Sequence, residues 1–281
     1  MQNKALENTV FVVSAGAFGV FLRWLQLQLA FDENGLCGPS VFNVLVPLFI
    51  LIAAWVLRKR VKELLDRRCV MPTAMHEALS NPGKLYAFFR WAAGAVMMLG
   101  GALMIRGSET EKYTLMLRVM GGLAILTGIC FPLYLGTANR EAEKQRPALL
   151  CAMSLAPLLL FALWLVYDYR ANATNSVLWG FAVEVLAASV LLIAFFRLGG
   201  FAFGVVEPKK LLFWLQFGVF VSMTVLADDR DMAGQLVFLS AGLMLALTDF
   251  ILLRRTREKD EAELRAETFR PEEPTGGFDA L

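Results

Sequence analysis

Arg23, Gln26, Arg118 and Glu184 are the residues with the greatest capacity for chemistry, because each interrupts an apolar run. Arg23 and Gln26 stand in "FLRWLQLQLA", Phe21 to Ala30, with Gln28 two residues further on. Glu184 stands in "WGFAVEVLAAS", Trp179 to Ser189. A guanidinium near a carboxylate, with carboxamides at helical spacing, could bind a small anionic or zwitterionic solute. Arg23 would then be the counter-ion, helped by Gln26 and Arg118, and Glu184 a proton-coupling carboxylate. The purely structural alternative is that these groups neutralise one another and fix helix packing, since pairing removes part of the cost of burying a charge. Arg90 and Asp249 offer the same choice as a second, inner pair.

The elements that must carry these residues are membrane spans. Of 281 residues, 57% are hydrophobic and 19% charged, whereas soluble domains run nearer 45–50% and about 25%. A span needs about 20 mostly apolar residues. Eight stretches qualify: 9–31, 40–57, 85–105, 115–136, 147–167, 177–196, 211–227 and 233–253. The sixth is expected to continue through "RLGGFAFGVV", Arg197 to Val206, as a bent or re-entrant tail. At 1.5 Å per helical residue, Arg23 and Glu184 lie roughly 10–12 Å below the outer surface. Arg90 and Asp249 lie roughly 8 Å from the inner one. Matching depth pairs Arg23 with Glu184, and Arg90 with Asp249.

Charge distribution sets the threading. Of the 27 Lys and Arg, only Arg106, Lys112, Arg170 and Arg230 fall on outer loops when the amino terminus is placed inside. Arg23, Arg90 and Arg118 lie within spans, and the remainder collect on the inner segments. Cytoplasmic loops are those enriched in Lys and Arg. The expected fold class is therefore all-α: an integral membrane bundle of eight transmembrane helices occupying residues 1–254, with both termini cytoplasmic. The first apolar run is too long, and too polar near its end, for a cleaved signal peptide. Residues 255–281 form a charged tail, its first part a helical extension of the last span and its end disordered.

Other residues are assigned by what they lack. Cys37, Cys69, Cys130 and Cys151 form no CxxC pair and are read as free thiols, and the single histidine, His76, stands alone. No metal site and no cofactor is expected, and the absence of phosphate-loop, nucleophile-elbow or paired-aspartate signatures argues against an enzyme. A net charge of +2 gives no field for nucleic acid. The partner expected is the lipid bilayer, with anionic lipid attracted to Arg58, Lys59, Arg60, Lys62, Arg67 and Arg68; protein partners are unspecified. Gly94, Gly100, Gly101, Gly121, Gly122 and Gly128 are expected at close helix contacts. The six Trp mostly fall towards span ends, as in an interfacial belt. Asp32 to Gly35 supply a turn after the first span.

"LRWLQLQLAFDENGL", Leu22 to Leu36, and "YDYRANATNSVLWGFAVEVLAASVLLIAFFRLGGFAFG", Tyr167 to Gly204, resemble segments of uncharacterised polytopic membrane proteins of Clostridia-type Gram-positive bacteria. The resemblance implies a bacterial cytoplasmic membrane and carries no activity with it. Two functions remain in view. One is a small-solute transporter or permease-like protein with a polar site in the outer half of the bundle. A solute-sized cavity at Glu184 would favour it, and a dry ion pair would count against it. The other is a non-catalytic scaffold, sensor or assembly subunit acting through the basic inner loop and the charged tail.

Overall fold

The computed structural model describes residues 2–31, 38, 40–65, 69–108, 113–140, 146–173, 180–228 and 231–258. The expected turn Asp32–Gly35, Cys37, Arg67, Arg68 and the tail from residue 259 lie outside them. Among the described residues the architecture is helical: α1 (Gln2–Ala30), α2 (Phe42–Leu64), a short α3 (Met75–Ala78), α4 (Lys84–Gly107), α5 (Thr114–Thr137), α6 (Pro147–Asn172), α7 (Ala182–Phe203), α8 (Pro208–Thr224) and α9 (Met232–Arg255). Each expected span falls on one of these helices. Seven of them, all but α2 and α3, are long and apolar enough to cross a membrane, which fits a multi-pass membrane protein. In α2 the apolar part stops at Leu57, where Arg58, Lys59 and Arg60 begin.

Six helices close into a ring, each packing on the next: α4 on α5, α5 on α6, α6 on α7, α7 on α8, α8 on α9, and α9 back on α4. The pair α1 and α2 lies outside this ring, with both helices against α8 and α1 also touching α9. α1 and α2 are antiparallel and tied at both ends. Gln26 Nε2 donates to Asn43 Oδ1 (3.1 Å) at one end, and Arg60 Nε donates to Asn8 Oδ1 (3.0 Å) at the other. α2 therefore runs the length of its neighbour. The outer surface is apolar, with Phe18, Leu51, Trp55, Phe88, Leu115 and Phe196 exposed, a distribution that a water-facing surface does not tolerate.

Small residues set the α4–α5 distance. A Cβ on Gly101 would stand 2.5 Å from the Gly121 carbonyl oxygen, and one on Gly121 would stand 2.6 Å from that of Gly101. Gly94 and Gly128 approach each other in the same reciprocal way, while Gly100 meets Ala233 and Val237 of α9. Gly122 has nothing within 4 Å, so its place near this run is not a contact.

Two expectations about local structure are corrected. Arg197–Phe203 is no re-entrant segment but the last two turns of α7, which ends where Gly204 takes φ 69° and Val205 N–H bonds back to the Gly200 carbonyl (2.9 Å). Only glycine adopts that left-handed conformation without cost. Nor does a charged helix extend α9. Thr256 turns extended, and Arg257–Glu258 (β2) pairs antiparallel with Cys69–Val70 (β1). The loop after α2 is thereby fastened to the segment after α9. Cys69, Cys130 and Cys151 are free thiols, as expected.

Gly101→Val should force α4 from α5 and lower stability by about 1–3 kcal/mol, the usual range for overpacking. Gly122→Val should change it little. Thermal melting of the two variants in detergent distinguishes a contact glycine from an incidental one.

Candidate functional site

Arg23 is wholly buried, and its charge is already spent. Its Nε donates to Asp228 Oδ1 at 2.6 Å, its Nη1 to Gln26 Oε1 at 2.6 Å, and its Nη2 to the Gly180 carbonyl at 3.4 Å. Asp228 follows the 3-10 turn Val225–Ala227 that ends α8 and is only 4% exposed. Gln26 passes the network on to Asn43, whose Nδ2 donates to the Gly38 carbonyl (2.9 Å). The chain Asp228–Arg23–Gln26–Asn43 thus binds α1 to α2 and to the α8–α9 turn. The expected Arg23–Glu184 pair is corrected: the carboxylate on Arg23 is that of Asp228. Gln28 is exposed.

Glu184 sits elsewhere at the same end of the molecule. Its Oε1 accepts the Trp164 indole N–H at 2.8 Å, and it lines a cavity of about 410 Å³ at the mouth of the helix ring. The walls come from α4, α5, α6, α7 and the residue that starts α9. Glu184, Asp231 and the almost fully buried Asp168 line this space, beside Trp164, Tyr167 and Asn172. Asp168 is 1% exposed. Asp231 also caps α9, accepting the Gly234 N–H at 3.1 Å. Arg118 does not line the cavity. Exposed at its rim, it donates through Nε to the hydroxyl of Ser108, which does (3.4 Å). Trp164, which sequence placement assigned to an interfacial belt, is buried.

Beneath the cavity the ring is filled with aromatic rings. Trp164 meets Phe238 edge-on (4.9 Å), Phe238 packs on Phe161 (6.1 Å), and Phe161 stacks on Phe195 (5.8 Å, 10°).

The opposite end of the bundle holds a second polar cluster. Asp249 accepts from Asn8 Nδ2 (3.4 Å) and Gln216 Nε2 (3.2 Å), and Asn8 in turn accepts from Arg60. Arg60 also lies over the Phe11 ring, 4.1 Å from its centroid. The expected Arg90–Asp249 pair does not form. The Arg90 head group lies against Gly136 of α5, and its Nε is buried with no partner among the described residues. Asp249 instead faces α1 and α8.

Of the four residues assigned from sequence to one site, the structure unites Arg23 with Gln26 and puts Glu184 on a separate cavity with Arg118 at its edge. Missed altogether were Asp228, Asp231 and Asp168. The first two belong to "ADDRDMAGQ", Ala227 to Gln235, where an Asp directly before an apolar helical run is a capping signal. Asp168 stands one residue beyond the expected end of its span. No group of three or more His, Cys, Asp or Glu suited to a metal ion occurs among the described residues. Comparison with protein-family models, curated proteins and solved structures finds no match.

Arg23→Gln or Asp228→Asn alone should cost about 3–5 kcal/mol, because each leaves a buried charge without its partner. The double variant keeps hydrogen-bonding groups at both positions and should recover most of that loss. Melting temperatures of the four proteins measure the coupling; simple additivity would show that the two charges do not depend on each other.

Proposed function

We propose that this chain is a multi-pass protein of a bacterial cytoplasmic membrane, transporter- or permease-like, that takes a small solute into the ring-mouth cavity. The carrying observation is a cavity of about 410 Å³ at Glu184, lined from α4, α5, α6 and α7 and by Asp231, with Trp164 of its wall packed on the aromatic rings of the bundle. Ligand sites commonly have this size and this mixture of apolar wall and few polar groups. Eight spans with both termini inside remain the preferred threading. Supporting it, α2 runs antiparallel along α1 and is bonded to it near both ends, and Lys and Arg concentrate on one side.

The solute class differs from the one the sequence favoured. Arg23 has no exposed surface and is paired, so it offers no counter-ion to an anion. The cavity presents Glu184, Asp168 and Asp231, with Trp164 and Tyr167 beside them. Carboxylates attract a cation, and aromatic faces add cation–π attraction. An amine- or guanidinium-bearing solute matches this lining. The three carboxylates then gain a neutralising charge on binding, where an anion would add to their repulsion.

Thermal-shift and uptake measurements in proteoliposomes, with a panel of small amines, guanidinium compounds and carboxylates, test this reading. Amine or guanidinium solutes should stabilise the protein and be taken up, and carboxylates should not. Glu184→Gln and Asp168→Asn should each weaken the effect about tenfold or more, as loss of a charged hydrogen bond does. Binding of carboxylates, or cation binding unchanged by both substitutions, would overturn it.

A further inference from the structure

A basic pocket lies at the end of the bundle opposite the acidic cavity, between α2 and α8. Arg58 and Lys62, one turn apart on α2, face Lys209 and Lys210 in the first turn of α8, around a space of about 300 Å³ floored by Val61, Phe213 and Trp214. All four cationic side chains are exposed. The first turn of α8 has no side-chain cap at Glu207, so its backbone N–H groups add partial positive charge at the same place. Two carboxylates stand close in sequence: Glu63, next to Lys62, lines a different pocket with Lys4 and Arg60, and Glu207 lies two residues before Lys209. A hydrogen bond from Lys210 holds the Glu207 carboxyl below the usual range, with help from Arg197. It therefore offsets part of the Lys210 charge and leaves Arg58, Lys62 and Lys209 in excess.

The neighbouring cations are otherwise engaged. Lys59 lies over the Trp55 ring (5.9 Å), and Arg60 turns inward to Asn8 and Phe11. So the basic run at the end of α2 is not one uniform anchor. Two of its members turn to α8 and two do not.

We propose that this pocket is a specific site for the phosphate headgroup of an anionic phospholipid. Arg58, Lys62, Lys209 and Lys210 would hold the phosphate, and Trp214 and Phe213 would sit at the boundary with the acyl chains. Three features select a lipid over a soluble phosphate compound. The cations stand at the ends of two helices of an apolar bundle, where headgroups lie. The pocket floor is aromatic and apolar. The α2 surface just below it, at Leu51, Ile52 and Trp55, is exposed and apolar, as a surface against acyl chains must be. The site rests on membrane residence and not on solute transport, so its failure would leave the acidic cavity untouched.

Native mass spectrometry of the full chain in mild detergent, titrated with phosphatidylglycerol and separately with phosphatidylcholine, tests it. One phosphatidylglycerol per chain should be retained preferentially, and phosphatidylcholine should not. Arg58→Gln and Lys209→Gln should each weaken retention about fivefold, the effect of one cation near an anionic headgroup. Lys59→Gln removes the same charge from the same helix but outside the pocket, and should leave retention within about twofold. Equal weakening by Lys59→Gln would mean a diffuse surface field and overturn the site. So would equal retention of phosphatidylcholine, or a dimer of this chain that excludes lipid and is lost in Arg58→Gln.

Discussion

A guanidinium with no exposed surface must be neutralised where it stands, and the placement of Arg23 organises one end of this molecule. Its donor contacts include a carboxylate after α8, a carboxamide one turn along α1, and a backbone carbonyl before α7. Two segments distant in sequence are thereby fixed to α1. The opposite end holds a second buried polar group. Asp249 is the buried carboxyl there, held by the Asn8 and Gln216 amides, and Asn8 links it to Arg60. Where no water can enter, unsatisfied polar groups cost several kcal/mol each. Both clusters therefore act as registers: sliding α1 against α8 or α9 by one turn would break each of them.

Between these layers the helices are held by shape. Gly94, Gly101, Gly121 and Gly128 bring α4 and α5 backbone to backbone, and the Phe161, Phe195 and Phe238 rings fill the space that α6, α7 and α9 enclose. The division of labour is consistent. Hydrogen bonds to buried polar groups tie the outer helices at their ends, while close packing dominates between α4 and α5 and among the ring's aromatic side chains. The acidic cavity at Glu184 sits where the ring ends.

Sequence reasoning reached what depends on one coordinate and missed what depends on two. Hydropathy fixes where a helix lies along the chain, and every expected span coincides with a helix. Residue counting gives an expected depth, and it set Arg23 level with Glu184. Depth does not fix the direction in which a side chain leaves its helix. Arg90 and Asp249 stand on helices that pack together, yet one turns to α5 and the other to α1 and α8. Glu184 likewise turns to Trp164 of α6, leaving Arg23 to an aspartate that looked like part of a loop. The glycine-containing stretch Arg197 to Val206 suggested a bend at the end of α7. The helix runs on to Phe203 because the residues flanking its glycines are strongly apolar, and only Gly204 has the backbone conformation that ends it.

The acidic cavity and the block beneath it belong to the same pair of helices. α6 supplies Asp168, Trp164 and Phe161, and α7 supplies Glu184 and Phe195. The Trp164–Glu184 hydrogen bond and the Phe161–Phe195 stack are two successive ties between them. A cation entering the cavity would compete with the indole N–H for Glu184. That alters the upper tie, and a rigid helix passes the change on to the lower one. Under the transporter reading, occupancy and opening are therefore linked by construction, since α6 and α7 cannot separate at the carboxylates without disturbing the stacked phenylalanines. A closed column that belonged to other helices would have no such connection to the charge above it.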